Sequence, residues 1–383
     1  MWRWFSARRQ PSPTPTVVVI GMGDTGVLTA AHLPRSCKVI GITTKPWLVS
    51  GQELGQRLTD PANWRKHYLL PLKAFRRLRR AELVHGRATA VDLPGQTVTV
   101  ATATGTARTL AWDALVIATG VSNGFWRDAA IEDITGIEHR LQNQIRVVQN
   151  APTIAVVGGG PSGTSLACNI KKRYPEKTVN WFFSGELPLP GYHPKTRAYH
   201  RQVAAELGVE VRPGHRGRMT DPQSGGLDLS GTLHFSNSER AHAADLILWA
   251  TGKLQPHTDF LPEPMLTAEG FVQTDEYLRV LGCTNVYAIG DVADTDPLRC
   301  SARNWAYRLL CRNIANQLQG RPPSGRFQPP DHRWGSILGS QPEGLLIHQP
   351  GGGRTRLPRW VVNVLLFPWI VHRWIYGGLR RMP

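Results

Sequence analysis

The chain has 383 residues, 41% of them hydrophobic, and 38 glycines, enough for a sizeable core and two or three domains and unlike a disordered or collagen-type chain. Lys and Arg total 45 against 28 Asp and Glu, a formal net charge of +17, so the surface favours an anionic partner: phospholipid, nucleic acid or an acidic cofactor. Thirteen tryptophans favour a membrane interface among these. Five cysteines, at positions 37, 168, 283, 300 and 311, show no C-x-x-C spacing, which argues for a reducing compartment and against a disulfide framework or a metal site.

The first 16 residues, MWRWFSARRQPSPTPT, lack the apolar stretch of a secretory signal and read as a basic, Trp-rich tail with a Pro/Ser/Thr linker. Val17 to Ile20 form a continuous β-branched run, as in a buried parallel strand. Gly21, Gly23 and Gly26 follow in G-x-G-x-x-G order, and Val27 to Leu33 is predicted to be a helix stopped by Pro34. In this strand–turn–helix the first glycine permits the tight turn and the second lets the backbone approach a pyrophosphate. The third permits close packing, and the helix N-terminus faces the phosphates. The next strand, Lys38 to Ile42, leads to Thr43 and Lys45 instead of the usual acid. Residues 57 to 87 then carry eleven cationic or histidine positions interleaved with Trp64, Tyr68, Leu72 and Phe75. No nucleic-acid motif accompanies them, and the expectation is a lipid-facing or acceptor-guarding helix pair or, equally, an ordinary solvated helix.

An apolar strand ends in Ala118-Thr119-Gly120. A second strand–turn–helix opens at Thr153, with Gly158, Gly160 and Gly163 in its turn and a helix expected over Thr164 to Tyr174. Its second strand reaches Phe183, again without an acid; Glu186 and the cationic His193, Lys195 and Arg197 follow. Nothing at Phe183 repels a ribose 2′-phosphate, so a dinucleotide carrying that phosphate is expected to be accepted at least as well as one without it, with Lys195 and Arg197 reading it. Another apolar strand ends in Ala250-Thr251-Gly252, and a third ends in Gly290-Asp291.

The order of two glycine loops, two A-T-G strands and one G-D strand over residues 17 to 291 resembles the two-dinucleotide-binding flavoproteins, the pyridine nucleotide-disulfide oxidoreductase superfamily. That resemblance implies an α/β fold of two Rossmann-like domains, one for FAD and one for NAD(P)H, the second inserted in the first. It implies the spans 17–145 and 275–325 for FAD, 146–274 for NAD(P)H, and 326–383 for a C-terminal extension. FAD falls to Gly21, Gly23, Gly26, Thr43, Lys45, Ala118, Thr119, Gly120, Gly290 and Asp291, and NAD(P)H to Gly158, Gly160, Gly163, Thr251 and Gly252. No residue is implied as a covalent catalyst, because the flavin carries the chemistry.

The tail is similar to the branch containing type II NADH dehydrogenases and ferroptosis suppressor protein, which reduce quinones at membranes. Ala302 and Ala306 match that branch's A-x-x-x-A spacing beside the flavin. The chain departs from the branch in having Ser165 where a glutamate is usual, and in lacking its glutamines. Residues 359 to 383 carry only about 12 clean apolar residues, against the ~20 of a span, and are flanked by Trp and Arg. They are expected to lie as a helix in the membrane interface. The implied protein is a FAD-dependent NAD(P)H:quinone oxidoreductase, cytoplasmic and peripherally attached to the inner face of a membrane, with a phospholipid surface and a quinone as partners and no nucleic acid. A homodimer is an open alternative. So are a soluble reductase of a protein such as ferredoxin and a low-turnover flavin scaffold; a sulfide:quinone type is disfavoured because that family needs cysteines at the flavin.

Overall fold

A computed structural model of the chain describes residues 14–122, 129–219, 226–237, 240–251, 254–299 and 305–380. Thr16–Ile20 forms strand β1, Asp24–His32 helix α1 and Lys38–Thr43 strand β2. Two short helices follow, α2 over Leu54–Thr59 and α3 over Pro61–Tyr68. Strands β3 (Ala81–Asp92), β4 (Thr97–Thr102), β5 (Ala107–Ala111) and β6 (Ala114–Ile117) come next, then helix α4 over Ile134–Asn150. A second run has β7 (Thr153–Val157), α5 (Pro161–Arg173), β8 (Thr178–Phe182), α6 (Pro194–Glu206), β9 (Glu210–Arg212), β10 (Gly217–Arg218), β11 (Leu227–Phe235) and β12 (His242–Trp249). Then come β13 (Val286–Ala288), α7 (Ala306–Leu318), β14 (Ser340–Gln341), β15 (Gly344–His348) and β16 (Arg354–Leu357). A last helical segment covers Arg359–Ile375, with the wider π-helical winding from Val362 onward and Pro368 inside it.

The strands make two large sheets of the same plan. The first has the order β13-β6-β1-β2-β3-β4-β5, and the second β9-β8-β7-β12-β11-β10. In each, parallel strands form the middle and antiparallel strands one edge. The strands of the second sheet fall, along the chain, between β6 and β13 of the first. The β-branched runs are buried on both faces: Val17, Val18 and Val19 are fully enclosed, as are Ile154, Ala155 and Val156. Such runs suit a parallel sheet covered on both faces.

Register sets the site. Ile20 pairs with Ile42 and with Ile117, so the turn at Gly21, the end at Thr43 and the A-T-G at Ala118 emerge together. Val157 pairs with Phe182 and Trp249, bringing Gly158, Phe183 and Ala250 together in the same way. Ligands of open α/β sheets bind outside such carboxyl strand ends.

Several local expectations change. Both glycine-loop helices begin one turn earlier than expected, at Asp24 and Pro161, directly after the second loop glycine. Pro161 suits the first helical position, where no N–H is needed. Helix α4 runs continuously through position 145, where a domain boundary is expected. The basic stretch 57–87 is not a lipid-facing helix pair. Trp64, Leu72 and Phe75 are buried in the core, Arg57 is 3% exposed, and only α2, α3 and single turns are helical before β3. Its aromatic positions are core and its remaining cations are solvated, which composition alone does not separate.

The C-terminal extension packs on this stretch. Phe367 stacks on His67 at 3.7 Å, Tyr376 meets Phe75 edge-on at 5.1 Å, and Trp374 lies 5.2 Å from Trp305 at the start of α7. Much of its surface is nevertheless open, Trp374 included. Of the nine exposed large apolar side chains among the described residues, six belong to it: Trp360, Val364, Leu365, Trp369, Ile370 and Trp374. No helix among the described residues is long and apolar enough to cross a membrane.

Candidate functional site

One cavity of about 1130 Å³ runs along the carboxyl ends of both sheets. It exceeds the ~300–1,000 Å³ of a site for one drug-sized ligand. Gly21, Gly23, Thr43, Lys45, Ala118, Thr119, Gly120, Gly290 and Asp291 line it from the first sheet. Gly158, Gly160 and Thr251 line it from the second. Gly252 and Ala302 lie outside the described residues.

The glycines divide by geometry. A Cβ on Gly23 or on Gly160 would meet no atom within 4 Å, so at both points the backbone borders open cavity. A Cβ on Gly26 would stand 1.8 Å from the Gly21 carbonyl oxygen, and one on Gly163 1.9 Å from that of Gly158. These third glycines do not line the cavity; they let each helix press against its own turn. Gly21 and Gly158 take φ of +94 and +129, where L side chains are strained.

The helix starts show where an anion belongs. Helices α3 and α4 have side-chain caps: Asp60 accepts from Asn63 N, and Asp133 from Gly136 N. Helices α1 and α5 have Gly23 and Gly160 at their N-cap positions and no side-chain cap, as is also true of α2 and α7, but only at α1 and α5 does a glycine cap line the cavity. Gly23 and Gly160 line the cavity, so the positive dipole ends of both helices border it, as suits a ligand oxygen. The residues fit two pyrophosphates, one at each loop.

Around the first loop, Asp24 turns away from the cofactor role and ties down the next segment. Its carboxylate accepts from Ser50 Oγ at 2.7 Å and Gly51 N at 3.2 Å. Thr43 Oγ1 donates to the Lys45 carbonyl at 2.6 Å, fixing the bend after β2. Lys45 Nζ lies 3.5 Å from Glu132, which also binds Arg140. Burial lowers the Lys45 pKa, and Glu132 partly opposes that. Burial beside Arg140 pushes Arg57 down to about 10. Sequence reasoning missed Glu132, which arrives from some ninety residues downstream with no local signal. Asp291 sits at the cavity after Gly290, and its carbonyl accepts from Arg299 Nη1 at 2.6 Å.

The missing carboxylate at Ser165 has a structural counterpart. Ser165 Oγ accepts from Gly55 N at 3.2 Å and from Asn169 Nδ2 at 3.2 Å. A Cβ on Gly55 would stand 2.3 Å from the Ser165 carbonyl oxygen. Position 165 thus sits at the seam where α2 of the first unit meets α5 of the second, on the wall of the cavity, with its hydroxyl engaged in that contact.

In the loop expected to read a 2′-phosphate, the Arg197 side chain is engaged elsewhere. Arg197 donates to the Pro188 and Leu187 carbonyls at 2.9 and 3.0 Å, and neither it nor Lys195 lines the cavity. His215 and Arg216 line it instead, beside Ser184. None of the described cysteines lines the cavity, and burial pushes the Cys168 thiol up to about 12.

The pyridine nucleotide-disulphide oxidoreductase family model matches residues 15–306. Ferroptosis suppressor protein 1 of Xenopus tropicalis is 26% identical over 54% of this chain and 57% of its own length. The external alternative NAD(P)H-ubiquinone oxidoreductase B1, mitochondrial, of Arabidopsis thaliana is 29% identical over 42% of this chain and 28% of its own. The chain thus spans well under two thirds of these relatives. The sulfide:quinone oxidoreductase from Aquifex aeolicus has a TM-score of 0.64 at 18% identity, covering 90% of this chain and 87% of that one, a likeness of fold.

Proposed function

The chain belongs to the pyridine nucleotide-disulphide oxidoreductase family of FAD-dependent, NAD(P)H-using enzymes, and from that premise we propose that it reduces a quinone at a membrane surface. The observation that carries the acceptor is the open face of the C-terminal segment. Trp360, Leu365, Trp369 and Trp374 stand exposed on it, with Arg373 over the Trp369 ring at 5.0 Å. Exposed Lys66, Lys73, Arg76 and Arg77 belong to the stretch it packs against. Apolar and indole groups beside cations suit the boundary between acyl chains and anionic headgroups. The ubiquinone named for the Arabidopsis relative supports the same acceptor class.

In this reading Gly21, Gly23 and the start of α1 hold the FAD pyrophosphate, and Gly158, Gly160 and the start of α5 hold that of NAD(P)H. Bound FAD supplies the relay, taking hydride from the nicotinamide and giving two electrons to the acceptor. The protein positions the two nucleotides in one cavity, and the Ser165–Gly55 seam fixes the angle between the units that carry them. On this reading the membrane-facing surface belongs to the first unit, on which the segment docks through Trp305, Phe75 and His67.

The test is steady-state turnover of the purified protein with NADH and NADPH against a short-chain ubiquinone, together with flotation on vesicles containing anionic phospholipid. Quinone-dependent oxidation and flotation that persists in moderate salt are expected. Flavin bleaching without quinone turnover, with release from vesicles by salt alone, would instead favour a soluble protein acceptor. No bleaching by either nucleotide would favour a scaffold.

A further inference from the structure

The ribose-reading end of the second unit carries a cation and no acid. In NAD-selective units the second strand ends in a carboxylate that accepts both ribose hydroxyls and repels a 2′-phosphate. Here β8 ends at Phe182 and continues into Phe183, whose ring is buried against Trp181 at 4.8 Å. A Cβ on Gly159 would stand 2.9 Å from Phe183 Cβ, so that side chain plugs the turn and leaves the ribose position to Ser184. Ser184 is exposed and lines the cavity. Glu186 does not line it; of the described cavity-lining residues between 146 and 274 only Asp259 is acidic, and it is paired with Arg87 of the first unit.

A second loop is sewn to this strand end. Phe183 N donates to the Arg212 carbonyl at 3.2 Å, His215 N to that of Phe183 at 2.9 Å, and Gly214 N to that of Gly185 at 3.3 Å. Asn237 holds the loop from behind. Its Oδ1 accepts from Arg216 N at 3.0 Å, and its Nδ2 donates to the Gly214 carbonyl at 2.6 Å. The His215 ring is wedged edge-on between Phe182 and Phe235, with Nδ1 2.8 Å from the Pro213 carbonyl. After Arg216, Gly217 lies tight on β7: a Cβ there would stand 2.6 Å from Val157 Cγ1. The backbone of Arg216 is thereby fixed beside Ser184, while its side chain is exposed and has no hydrogen-bond or ion-pair partner among the described residues.

We infer that Arg216, with Ser184 and His215 beside it, is the seat of a ribose 2′-phosphate, and that it makes the chain select NADPH over NADH. A planar guanidinium on a pinned backbone suits an exposed phosphate, since its fork of donors meets two oxygens at once. The inference rests on the reading that the second glycine loop holds the nicotinamide nucleotide.

The experiment measures dissociation constants of 2′,5′-ADP and 5′-AMP on the FAD-bound protein by calorimetry, so that no turnover is needed. The parent is expected to bind 2′,5′-ADP at least tenfold more tightly than 5′-AMP, with the ratio shrinking as salt rises. Arg216→Ala should bring the ratio within twofold and leave 5′-AMP binding unchanged, and Arg216→Lys should keep part of it. Lys195→Ala is expected to leave the ratio alone. Flavin absorbance of each variant reports that the fold is kept. A parent that binds both ligands equally, or an Arg216→Ala protein that keeps the parent ratio, overturns the inference while the nucleotide site stands. If neither ligand binds the parent, the nucleotide reading of the second unit falls, and the inference falls with it.

Discussion

Replacing Gly23 with valine probes the first glycine loop without touching the core. Gly23 has φ −76 and ψ −167, extended backbone open to any residue, and a Cβ there meets no atom within 4 Å. The cost to the fold is that of a poorer helix cap, about 1 kcal/mol. The branched side chain instead fills the cavity ahead of the uncapped N–H groups of α1. Loss of two charge-assisted contacts at about 1.5–3 kcal/mol each lowers FAD affinity by about 3–6 kcal/mol, or roughly 10²- to 10⁴-fold. Gly26→Ala is the contrasting variant. Its Cβ would stand 1.8 Å from the Gly21 carbonyl oxygen, so α1 must shift off its turn, and thermal stability falls along with flavin content. The assay is the flavin-to-protein absorbance ratio of each purified protein, followed by FAD titration of the deflavinated form and a thermal melt. A Gly23→Val protein with parental flavin content and affinity would refute the assignment of this loop. One that melts as early as Gly26→Ala would refute the claim that the loop borders open space.

Ser165→Glu is expected to lower stability by about 1–3 kcal/mol in denaturant melts, because the carboxylate displaces the Gly55 N contact, and to bring no gain in turnover. Trp64→Ala should cost about 3–5 kcal/mol while vesicle binding of the folded fraction is unchanged, since Trp64 is fully buried and donates to the Gln52 carbonyl at 3.1 Å. Trp360→Ser with Trp369→Ser should abolish flotation and leave the melting temperature and flavin content unchanged, because both side chains are exposed; unchanged flotation would remove the membrane reading's main support. Burial first, then neighbouring charges, holds His67 and His200 at about 3 and His348 and His372 at about 4. The unfolded chain takes up these protons below about 6.5 and the folded chain does not, so stability is full above that pH and falls as pH drops towards 4. A urea midpoint equal at pH 7 and pH 5 would contradict this, and His67→Phe should flatten the slope.

What was legible in the sequence depended on how local its cause was. Val17 to Ile20 and Thr153 to Val157 announce buried parallel strands by composition alone, and the glycine spacings after them follow from steric demands within six residues. The A-T-G and G-D segments were legible for the same reason, and register then brings their ends to one cavity. The residues missed are those whose neighbours come from far along the chain. Glu132 reaches Lys45 across 87 positions, and Gly55 reaches Ser165 across 110. The stretch 57–87 misled for a different reason. Alternating cations and aromatics describe both an amphipathic lipid-facing helix and a loop whose aromatics are swallowed by the core; only packing distinguishes them. Arg57 shows how sharply: within one basic run it is buried while Arg76 and Arg77 are exposed. The 2′-phosphate expectation followed the same logic. Lys195 and Arg197 are near Phe183 in sequence, but Arg197 spends its donors on the Pro188 and Leu187 carbonyls. Arg216, thirty-three residues beyond Phe183, is beside it because three backbone hydrogen bonds stitch its loop to the strand end. Proximity in the chain is therefore a weak guide to which cation meets a ligand, and the better question is which cation the backbone leaves without a partner of its own.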